Sequence, residues 1–360
     1  MAAELGLEIA GIAARSGSDR LYEIAQGHPR ARVVVAAPTP SERLRFEALG
    51  SRVGFGSEAV AGLASTPGVI VVNGIVGAAG LAATIAALEA GNRLALANKE
   101  SLVAGGPLVE EARRSGGGEL IPVDSEHSAL YQLLDGRHRE SVNRLILPAS
   151  GGPFFGMKGE DLATVTPEQA LRHPTWQMGP RITIDSATLM NKALEVIEAH
   201  HLFGFGYDDI DVVVHPQSVV HGLVQLVDGS LIAHLGEPDM AIPIRYALSH
   251  PQTPVSPRPS LSLLGLALQF EPPDIEAFPC LRLGYEAGSV GGTAPAVLNA
   301  ADEIAVHAFL TGRIGFGSIP VVVERTLNSV THHQVDSVAD VMAADAAARS
   351  VATDLLGDSC

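Results

Sequence analysis

Short aliphatic and β-branched runs alternate with helical stretches over the first third of the chain. This alternation is typical of a parallel sheet with helices on both faces, because each strand needs a crossover before the next parallel strand. The pattern predicts strands at 7–13, 32–37, 68–72, 93–97 and 119–122, and helices at 19–26, 41–49, 81–90 and 106–114. In such sheets ligands bind beyond the carboxyl ends of the strands, so a site is expected there.

The length, charge and cysteine content of the chain indicate how many domains it has and which kinds of partner it is expected to lack. With 360 residues it is long enough for two or three domains. A formal net charge of −16 argues against nucleic-acid binding, which needs a basic face. The two cysteines, Cys280 and Cys360, are expected to be free thiols in a reducing compartment. Without a membrane-length apolar run or a signal-peptide pattern, the chain is predicted to be cytoplasmic and to have no membrane partner.

Changes in composition divide the chain into four predicted parts. They are an α/β domain at 1–123, a mixed α+β catalytic domain at 124–248, a proline-rich linker at 249–273 and a helical bundle at 274–360. Asp228-Gly229 between two strand-like runs, 219–227 and 230–235, predicts a two-residue β-hairpin. Helix start and stop signals after residue 279 predict a four-helix bundle.

Three polar clusters follow predicted strands. Arg15 and Ser16 stand where a nucleotide-binding fold meets the adenosine ribose, and an arginine there favours NADP over NAD. The glycines of 73–80 allow close backbone approach to a ligand, although a plain tight turn explains them equally well. Residues 98–101, Asn-Lys-Glu-Ser, carry polar and charged side chains directly after a buried strand. Such side chains rarely serve only to fill a core, so a binding role is favoured.

Carboxylates suggest a metal site. Asp124 and Glu126 follow the last predicted strand, and residues two apart on an extended segment point the same way. Glu195 supplies a third carboxylate, and such a set suits Mg²⁺ or Mn²⁺ better than zinc. The alternative is that Asp124 and Glu126 only form surface ion pairs.

The stretch 185–198 is predicted to form one helix with a polar face. That face carries Thr188, Asn191, Lys192, Glu195 and Glu198. Ser186 is placed at the helix start, where anions bind readily. A solvated amphipathic helix is the alternative.

Further candidates for phosphate binding and for a lid lie in predicted loops. Ser150 opens a small-residue turn, Ser-Gly-Gly, and His173 could add a donor. Trp176 is either a core anchor or part of a mobile lid over a ligand. His215 and His221 are preferred as structural, hydrogen-bonded histidines.

Taken in order, these segments resemble the 1-deoxy-D-xylulose 5-phosphate reductoisomerase family over essentially the whole chain. The residues that carry the resemblance are 76–81, 97–102, 122–127, 150–154, 173–179, 185–192, 215–218 and 235–240. The resemblance implies a Rossmann-like NADPH domain, a catalytic domain whose sheet forms a homodimer, a linker and a C-terminal helical bundle.

The resemblance also implies roles for individual positions. Asp124, Glu126 and Glu195 resemble the metal ligands, and Lys99 and His173 are the other catalytic candidates. The implied substrate contacts are Ser125, Ser150, Trp176, Ser186, Asn191 and Lys192, with Lys99 and His173 among them. The implied NADPH contacts are Gly74, Ile75, Asn98, Glu100 and Gly179, and Met178 joins Trp176 in a lid over substrate and nicotinamide.

The reaction implied by the resemblance is the rearrangement of 1-deoxy-D-xylulose 5-phosphate, followed by reduction with NADPH to 2-C-methyl-D-erythritol 4-phosphate. It belongs to non-mevalonate isoprenoid precursor biosynthesis and requires Mn²⁺ or Mg²⁺, with Co²⁺ as a further candidate. A divalent ion stabilises the alkoxide character that such a rearrangement develops. An ordinary NADP-dependent sugar dehydrogenase, which needs no metal, is disfavoured by the three carboxylates.

One departure from the family pattern concerns the cofactor. Family members begin with a strand and a Gly-Ser-Thr-Gly-Ser-Ile-Gly loop, and neither is found in this sequence. The Rossmann-like sheet is therefore expected to be incomplete at its N-terminus, with one strand lacking its neighbour, and NADPH binding is expected to be weak or absent. This leaves open an alternative from another class, a non-catalytic relative that binds metal and sugar phosphate but not NADPH.

Overall fold

The fold is described from a computed structural model covering residues 1–255, 257 and 260–357. The N-terminal part alternates strands and helices as predicted. Its strands are β1 (Gly11–Ala14), β2 (Arg32–Val35), β3 (Val53–Phe55), β4 (Ile70–Asn73), β5 (Arg93–Leu96) and β6 (Glu119–Pro122). Its helices are α1 (Asp19–Gly27), α2 (Pro40–Glu47), α3 (Ser57–Ala64), α4 (Leu81–Glu89) and α5 (Lys99–Gly116).

These six strands form two parallel sheets. One has the order β1-β2-β3 and the other β4-β5-β6. The predicted parallel topology is confirmed, but the β3 and α3 elements were missed because β3 is only three residues long. Among the described residues β1 pairs only with β2, as expected for a strand without one neighbour.

Helix α5 begins seven residues earlier than predicted. The side chain of Asn98 accepts a hydrogen bond from the Ser101 N–H (3.1 Å) and so caps the helix directly after β5. Gly105 has non-helical dihedral angles and Pro107 lies inside the helix. The predicted start after this kink was wrong because the asparagine cap was not recognised, and the true start places Lys99 at the carboxyl end of β5.

The middle part surrounds a four-stranded sheet. Its strands are β7 (Val142–Ala149), β8 (Ile210–Val214), β9 (Val220–Leu226) and β10 (Leu231–Leu235), in the order β10-β9-β7-β8. Its helices are α6 (Ser125–Leu134), α7 (Gly159–Leu162), α8 (Pro167–Ala170), α9 (Pro180–Ala187), α10 (Met190–Phe203) and α11 (Ala241–Ser249). The predicted hairpin is confirmed as β9 and β10, with Gly229 in the left-handed region (φ +88°).

The single helix predicted over 185–198 is wrong. The chain forms α9 and α10 with a break at Leu189, whose φ is +61°. The Thr188 hydroxyl supports the break, since it donates to the Ile184 carbonyl (3.0 Å) and accepts from the Met190 N–H (3.3 Å). Thr188 is therefore not on the polar face of α10, and Ser186 lies in the last turn of α9 instead of at a helix start.

The C-terminal part is the predicted bundle of four helices. They are α12 (Cys280–Val290), α13 (Ala294–Leu310), α14 (Ser318–Ser329) and α15 (Val338–Gly357). The apolar face of α10 and helices α12 and α13 share one hydrophobic core with β7, which includes Leu145, Ile197 and Phe309. The bundle therefore packs directly behind the helix that carries Glu195.

The predicted linker connects α11 to this bundle without helix among its described residues, and Glu271 forms a bridge to Val214. Cys280 is a buried free thiol, as expected. Pro259 and Cys360 lie outside the described residues. None of the described helices combines the length and apolarity that a membrane crossing requires.

Candidate active site

One cavity of about 220 Å³ lies where the carboxyl ends of β5, β6 and β7 meet α9 and α10. It receives predicted catalytic, metal and substrate residues from separate parts of the chain. Those among its lining residues are Lys99, Asp124, Ser125, Glu126, Ser150, Trp176, Met178, Ser186, Asn191, Lys192 and Glu195. The sequence therefore predicted correctly which segments come together.

The carboxylates enter the cavity from two helices. Asp124 caps α6, its carboxylate accepting the Glu126 N–H (3.3 Å), so the extended geometry predicted for this pair is wrong. Both side chains still line the cavity because they lie in the first turn of the helix. Glu195 reaches them from the middle of α10 and is completely buried.

Two lysines stand between these carboxylates. The Lys99 Nζ lies 2.5 Å from Asp124 Oδ2 and 3.2 Å from Glu195 Oε1. The Lys192 Nζ lies 2.8 Å from Glu126 Oε1 and 2.5 Å from Glu195 Oε2. Burial alone would lower the pKa of Lys99, but Asp124 and Glu195 raise it well above its ordinary value, so this lysine is charged. A cluster of carboxylates that draws in this much positive charge is chemically suited to a hard divalent cation.

His127 belongs to this cluster and was missed at the sequence level. Its Nδ1 lies 3.1 Å from Asp124 Oδ1 and 3.5 Å from Glu198 Oε2, and its Nε2 lies 2.9 Å from the Glu195 carbonyl oxygen. Burial opposes its charge, but the carboxylates of Glu198 and Asp124 raise the pKa of His127 to about 9. The one sequence signal for it was its position three residues after Asp124, on the same face of α6.

The geometry of a metal site can be judged from the ligand atoms. One atom each from Asp124, His127 and Glu195 lies within 4.8 Å of the others. The His127 Nε2 lies beside the Glu195 carbonyl oxygen and its Nδ1 beside Asp124 Oδ1, so the ring is placed to support the carboxylates by hydrogen bonds. Glu126 is not in this group of atoms, but it shares the Lys192 ammonium with Glu195. The three predicted carboxylates are therefore chemically suited to an oxygen-liganded ion, and their role as ligands stays a prediction.

The other end of the cavity gathers neutral hydrogen-bond donors. The His173 Nε2 lies 3.0 Å from Ser150 Oγ and 3.1 Å from Ser186 Oγ. Its Nδ1 accepts the N–H groups of Thr175 (3.1 Å) and Trp176 (2.9 Å), which leaves the ring proton on Nε2. Burial lowers the pKa of His173, so the ring is neutral near pH 7. Two hydroxyls and one N–H thus converge on a point suited to an oxyanion.

Asn191 links the acidic cluster to the cavity wall, and the Trp176 loop lies opposite. The Asn191 Oδ1 accepts from Lys99 Nζ (2.8 Å), and its Nδ2 donates to Glu195 Oε1 (2.5 Å). The Trp176 ring is 6.3 Å from the ring of His221. His215 is fully buried and bonded to the Gln269 carbonyl (2.8 Å), in agreement with the structural role expected for it.

The candidate NADPH contacts divide into two groups. Asn98 Nδ2 donates to the carbonyls of Ile75 (2.5 Å) and Gly77 (3.1 Å), and the Gly77 N–H donates to Glu100 Oε1 (3.1 Å). Gly74, Ile75, Asn98 and Glu100 thus lie at one turn, and Gly179 caps α9. Arg15 and Ser16 are exposed beyond β1. Of all the candidate NADPH contacts, Met178 alone is among the residues that line the cavity.

The fold and the site together define an α/β enzyme with a parallel-sheet domain and a cavity where an acidic cluster faces neutral hydrogen-bond donors. Comparisons with known proteins make this specific. A family profile described as 1-deoxy-D-xylulose 5-phosphate reductoisomerase matches residues 2–106. Two profiles for C-terminal domains of the same enzyme match residues 120–203 and 235–351.

Individual relatives agree. The chain is 50% identical over 347 residues to 1-deoxy-D-xylulose 5-phosphate reductoisomerase from Xanthomonas axonopodis pv. citri, covering 94% of this chain and 88% of the relative. It is 51% identical over 317 residues to the enzyme of Desulforamulus reducens, covering 88% and 82%.

Solved structures of 1-deoxy-D-xylulose 5-phosphate reductoisomerases are also similar to this chain. The Zymomonas mobilis enzyme in complex with NADPH gives a TM-score of 0.89 at 41% identity, covering 97% of this chain and 92% of that chain. A DOX-P reductoisomerase in complex with NADPH, fosmidomycin and magnesium gives 0.87 at 36% identity, covering 98% and 91%. The chain belongs to the 1-deoxy-D-xylulose 5-phosphate reductoisomerase family.

Proposed function

We propose that this chain converts 1-deoxy-D-xylulose 5-phosphate to 2-C-methyl-D-erythritol 4-phosphate with NADPH and a divalent metal. The observation that carries the proposal is one cavity lined by the carboxylates of Asp124, Glu126 and Glu195 and by the hydroxyls of Ser150 and Ser186. His173 is not among the lining residues but lies within hydrogen-bonding distance of both serines. A substrate with a phosphate at one end and a carbonyl beside a hydroxyl at the other matches these two ends.

The phosphate is assigned to the neutral donors. Ser150 and Ser186 offer hydroxyls, and the Nε2 proton of His173 is already directed between them. These neutral groups can donate hydrogen bonds to the phosphate oxygens in the protonation state they already have, and they fix the position of the phosphate. The assigned role of this group is to fix which substrate carbon meets the hydride.

The metal is assigned to Asp124, Glu126 and Glu195, with Mg²⁺ or Mn²⁺ preferred and Co²⁺ as a further candidate. When bound, a divalent ion supplies Lewis-acid stabilisation of developing alkoxide charge. The DOX-P reductoisomerase that resembles this chain is described with magnesium, which supports the choice of ion.

The remaining site residues are assigned to orientation and exclusion of water. Lys99, Asn191 and Lys192 are held in place by the acidic cluster and orient the substrate hydroxyls together with Ser125. Trp176 and Met178 lie on the loop that borders the cavity and are assigned to a lid. Gly74, Ile75, Asn98, Glu100 and Gly179 are assigned to NADPH, with Arg15 and Ser16 as more distant candidates.

The non-catalytic alternative is not favoured, because the acidic cluster and the anion site are both complete and the relatives are named as reductoisomerases. The strength of NADPH binding and a cytoplasmic location both stay predictions.

We also propose a homodimer formed through the four-stranded sheet. β10 pairs only with β9 among the described residues and exposes Leu231 (55%). Exposed apolar side chains beside an open strand edge favour association with a second copy.

The proposed reaction is tested by NADPH oxidation with 1-deoxy-D-xylulose 5-phosphate, followed by identification of the product. Turnover is expected with Mg²⁺ or Mn²⁺ and is expected to stop when the ion is chelated. Metal-independent reduction would instead indicate an ordinary sugar dehydrogenase. No turnover at saturating NADPH and metal would support the non-catalytic alternative.

A further inference from the structure

Arg181 occupies a position that its own helix does not favour. It is the second residue of α9, where the helix dipole opposes a positive charge. Its side chain is nevertheless mostly buried, with 21% exposed. The reason for a buried cation here must therefore lie in its partners on other elements.

Those partners come from two other elements of the fold. Arg181 Nη1 donates to Glu100 Oε1 of α5 (3.0 Å) and to Glu303 Oε1 of α13 (2.8 Å). Its Nη2 donates to Asn299 Oδ1 of α13 (2.7 Å). One guanidinium thus joins α9, the start of α5 and the C-terminal bundle, using the fork geometry that only arginine provides.

The contact with Glu100 extends the network to the turn at 73–80, here called the nucleotide turn. The same Glu100 Oε1 accepts the Gly77 N–H (3.1 Å), and Glu100 Oε2 accepts from Asn98 Nδ2 (2.9 Å). Glu100 also directly follows Lys99, whose ammonium lies in the acidic cluster. Loss of Arg181 would leave the Glu100 carboxylate without its ion-pair partner. The hydrogen bond from the Gly77 N–H to Glu100, which holds the nucleotide turn, would then be less firmly positioned.

Two buried aspartates also lie beside the guanidinium of Arg181. Asp185 lies on α9, 3.5 Å from Arg181 Nε, and Asp302 lies on α13, 3.6 Å from Nη2. Asp185 Oδ1 and both oxygens of Asp302 are buried and accept no hydrogen bond from any other residue in the described part of the chain, while the two carboxyl groups lie within hydrogen-bonding reach of each other. Arg349 of α15 contacts this network at the far oxygen of Glu303 (2.6 Å) and otherwise pairs with Asp345 of its own helix, so it does not replace Arg181.

We infer that Arg181 is a positioning residue that fixes the nucleotide turn against α9 and ties both to the C-terminal bundle. Its polar contacts are with Glu100, with Asp185 of its own helix and with the bundle, so it acts through Glu100 and through the placement of α9. The inference deepens the proposed function and rests on it for its kinetic consequence.

The test compares Arg181→Met with Arg349→Met in the full chain. Both remove one cation from the same network, but only the first releases Glu100. For Arg181→Met, the NADPH KM is expected to rise about tenfold or more with a smaller change in kcat, equivalent to the loss of one good contact. Deuterium uptake in peptides covering 73–80 is expected to become about tenfold faster. For Arg349→Met, both quantities are expected to stay within about threefold of the parent chain.

Equal KM values and equal exchange rates in the two variants would overturn the inference. If Arg181→Met does not fold, Arg181→Lys and Arg349→Lys replace the pair, and only the first is expected to alter exchange at 73–80, because lysine cannot bridge two partners with a fork. Identical exchange in these two variants overturns the inference in the same way. A parent chain that fails to oxidise NADPH refutes the proposed function, while the exchange comparison still decides the role of Arg181.

Discussion

At the residue scale, Asp185 shows how burial and charge compete beside the active site. Its side chain is 5% exposed and lies near Arg181 on α9. Burial raises the pKa of Asp185 from 3.8 to about 6, although Arg181 opposes the shift. The folded chain therefore holds this proton more tightly than the unfolded chain does.

Proton linkage determines the direction in which pH changes the stability of the folded chain. An acid whose folded pKa is raised contributes stability that is complete below 3.8 and is lost as the pH rises through about 6. The difference corresponds to about 3 kcal/mol. Asp185→Asn mimics the protonated side chain, so it should gain up to about this amount relative to the parent chain at pH 8, and little at pH 4.

Urea unfolding of both proteins across this pH range measures the gain. Asp345→Asn, which changes an aspartate paired with Arg349 at the outer part of the same network, is the control. A loss of stability in Asp185→Asn that is the same at every pH would contradict the account.

A pattern of side chains was enough to predict which carboxylates share the cavity, while their roles stay predictions. Asp124, Glu126 and Glu195 line one cavity as expected. His127 was missed because its role depends on Glu198 and on the Glu195 carbonyl, which lie about seventy residues away in the chain. Contacts of that kind arise only from packing.

At the element scale, the anion site depends on close approach between the 150–152 turn and α9. Gly152 has φ +67°, and a Cβ there would lie 2.9 Å from the Ser186 carbonyl oxygen and 3.0 Å from Ala187 Cα. Any side chain at this position must push the turn away from α9. Ser150 and Ser186, which share His173, would then separate.

We predict that Gly152→Ala weakens substrate binding about tenfold or more and costs about 2 to 3 kcal/mol of stability. Gly136→Ala is a matched control, since Gly136 has φ +70° but a Cβ added there would meet no described atom within 4 Å. The control should lose only about 1 kcal/mol, from the left-handed backbone. Substrate KM and urea unfolding report the two effects, and equal KM values in both variants would argue against close approach as the cause.

Element boundaries were predictable where caps were explicit. Thr39 and Glu42 form a capping box, with Pro40 as the first helical residue, and α2 starts one residue before the predicted position. The break between α9 and α10 was not predictable, because a leucine with positive φ carries no local signal for a turn. Leu189 tolerates that conformation since its side chain is buried in the core.

At the scale of the whole molecule, the parallel topology and the C-terminal four-helix bundle follow from the sequence pattern. The sequence pattern does not predict that α10, strand β7 and the bundle share one core. Amphipathic periodicity identifies which face of a helix is buried but not which element covers that face. This packing explains how a distant bundle residue such as Glu303 can contact Arg181.

The proposed homodimer gives a prediction at this scale. Leu231→Glu places a charge on the open edge strand and should convert a two-chain particle to a single chain. Leu44→Glu, at a side chain 73% exposed on α2, should leave the particle unchanged. Light scattering coupled to size-exclusion chromatography gives the masses. A parent chain that elutes with the mass of one copy would refute the proposed dimer.

The central claim is that carboxylates from α6 and α10 bind one divalent cation. Glu195→Gln keeps the volume of the side chain but removes the charge shared by Lys99 and Lys192. Glu111→Gln makes the same chemical change at an exposed position and serves as the control. Circular dichroism establishes that both variants are folded.

The most direct measurement is a titration with Mn²⁺ followed by electron paramagnetic resonance. The account predicts about one ion per chain in the parent and in Glu111→Gln, and an affinity at least about tenfold weaker in Glu195→Gln. An unchanged Mn²⁺ affinity in folded Glu195→Gln would contradict the claim.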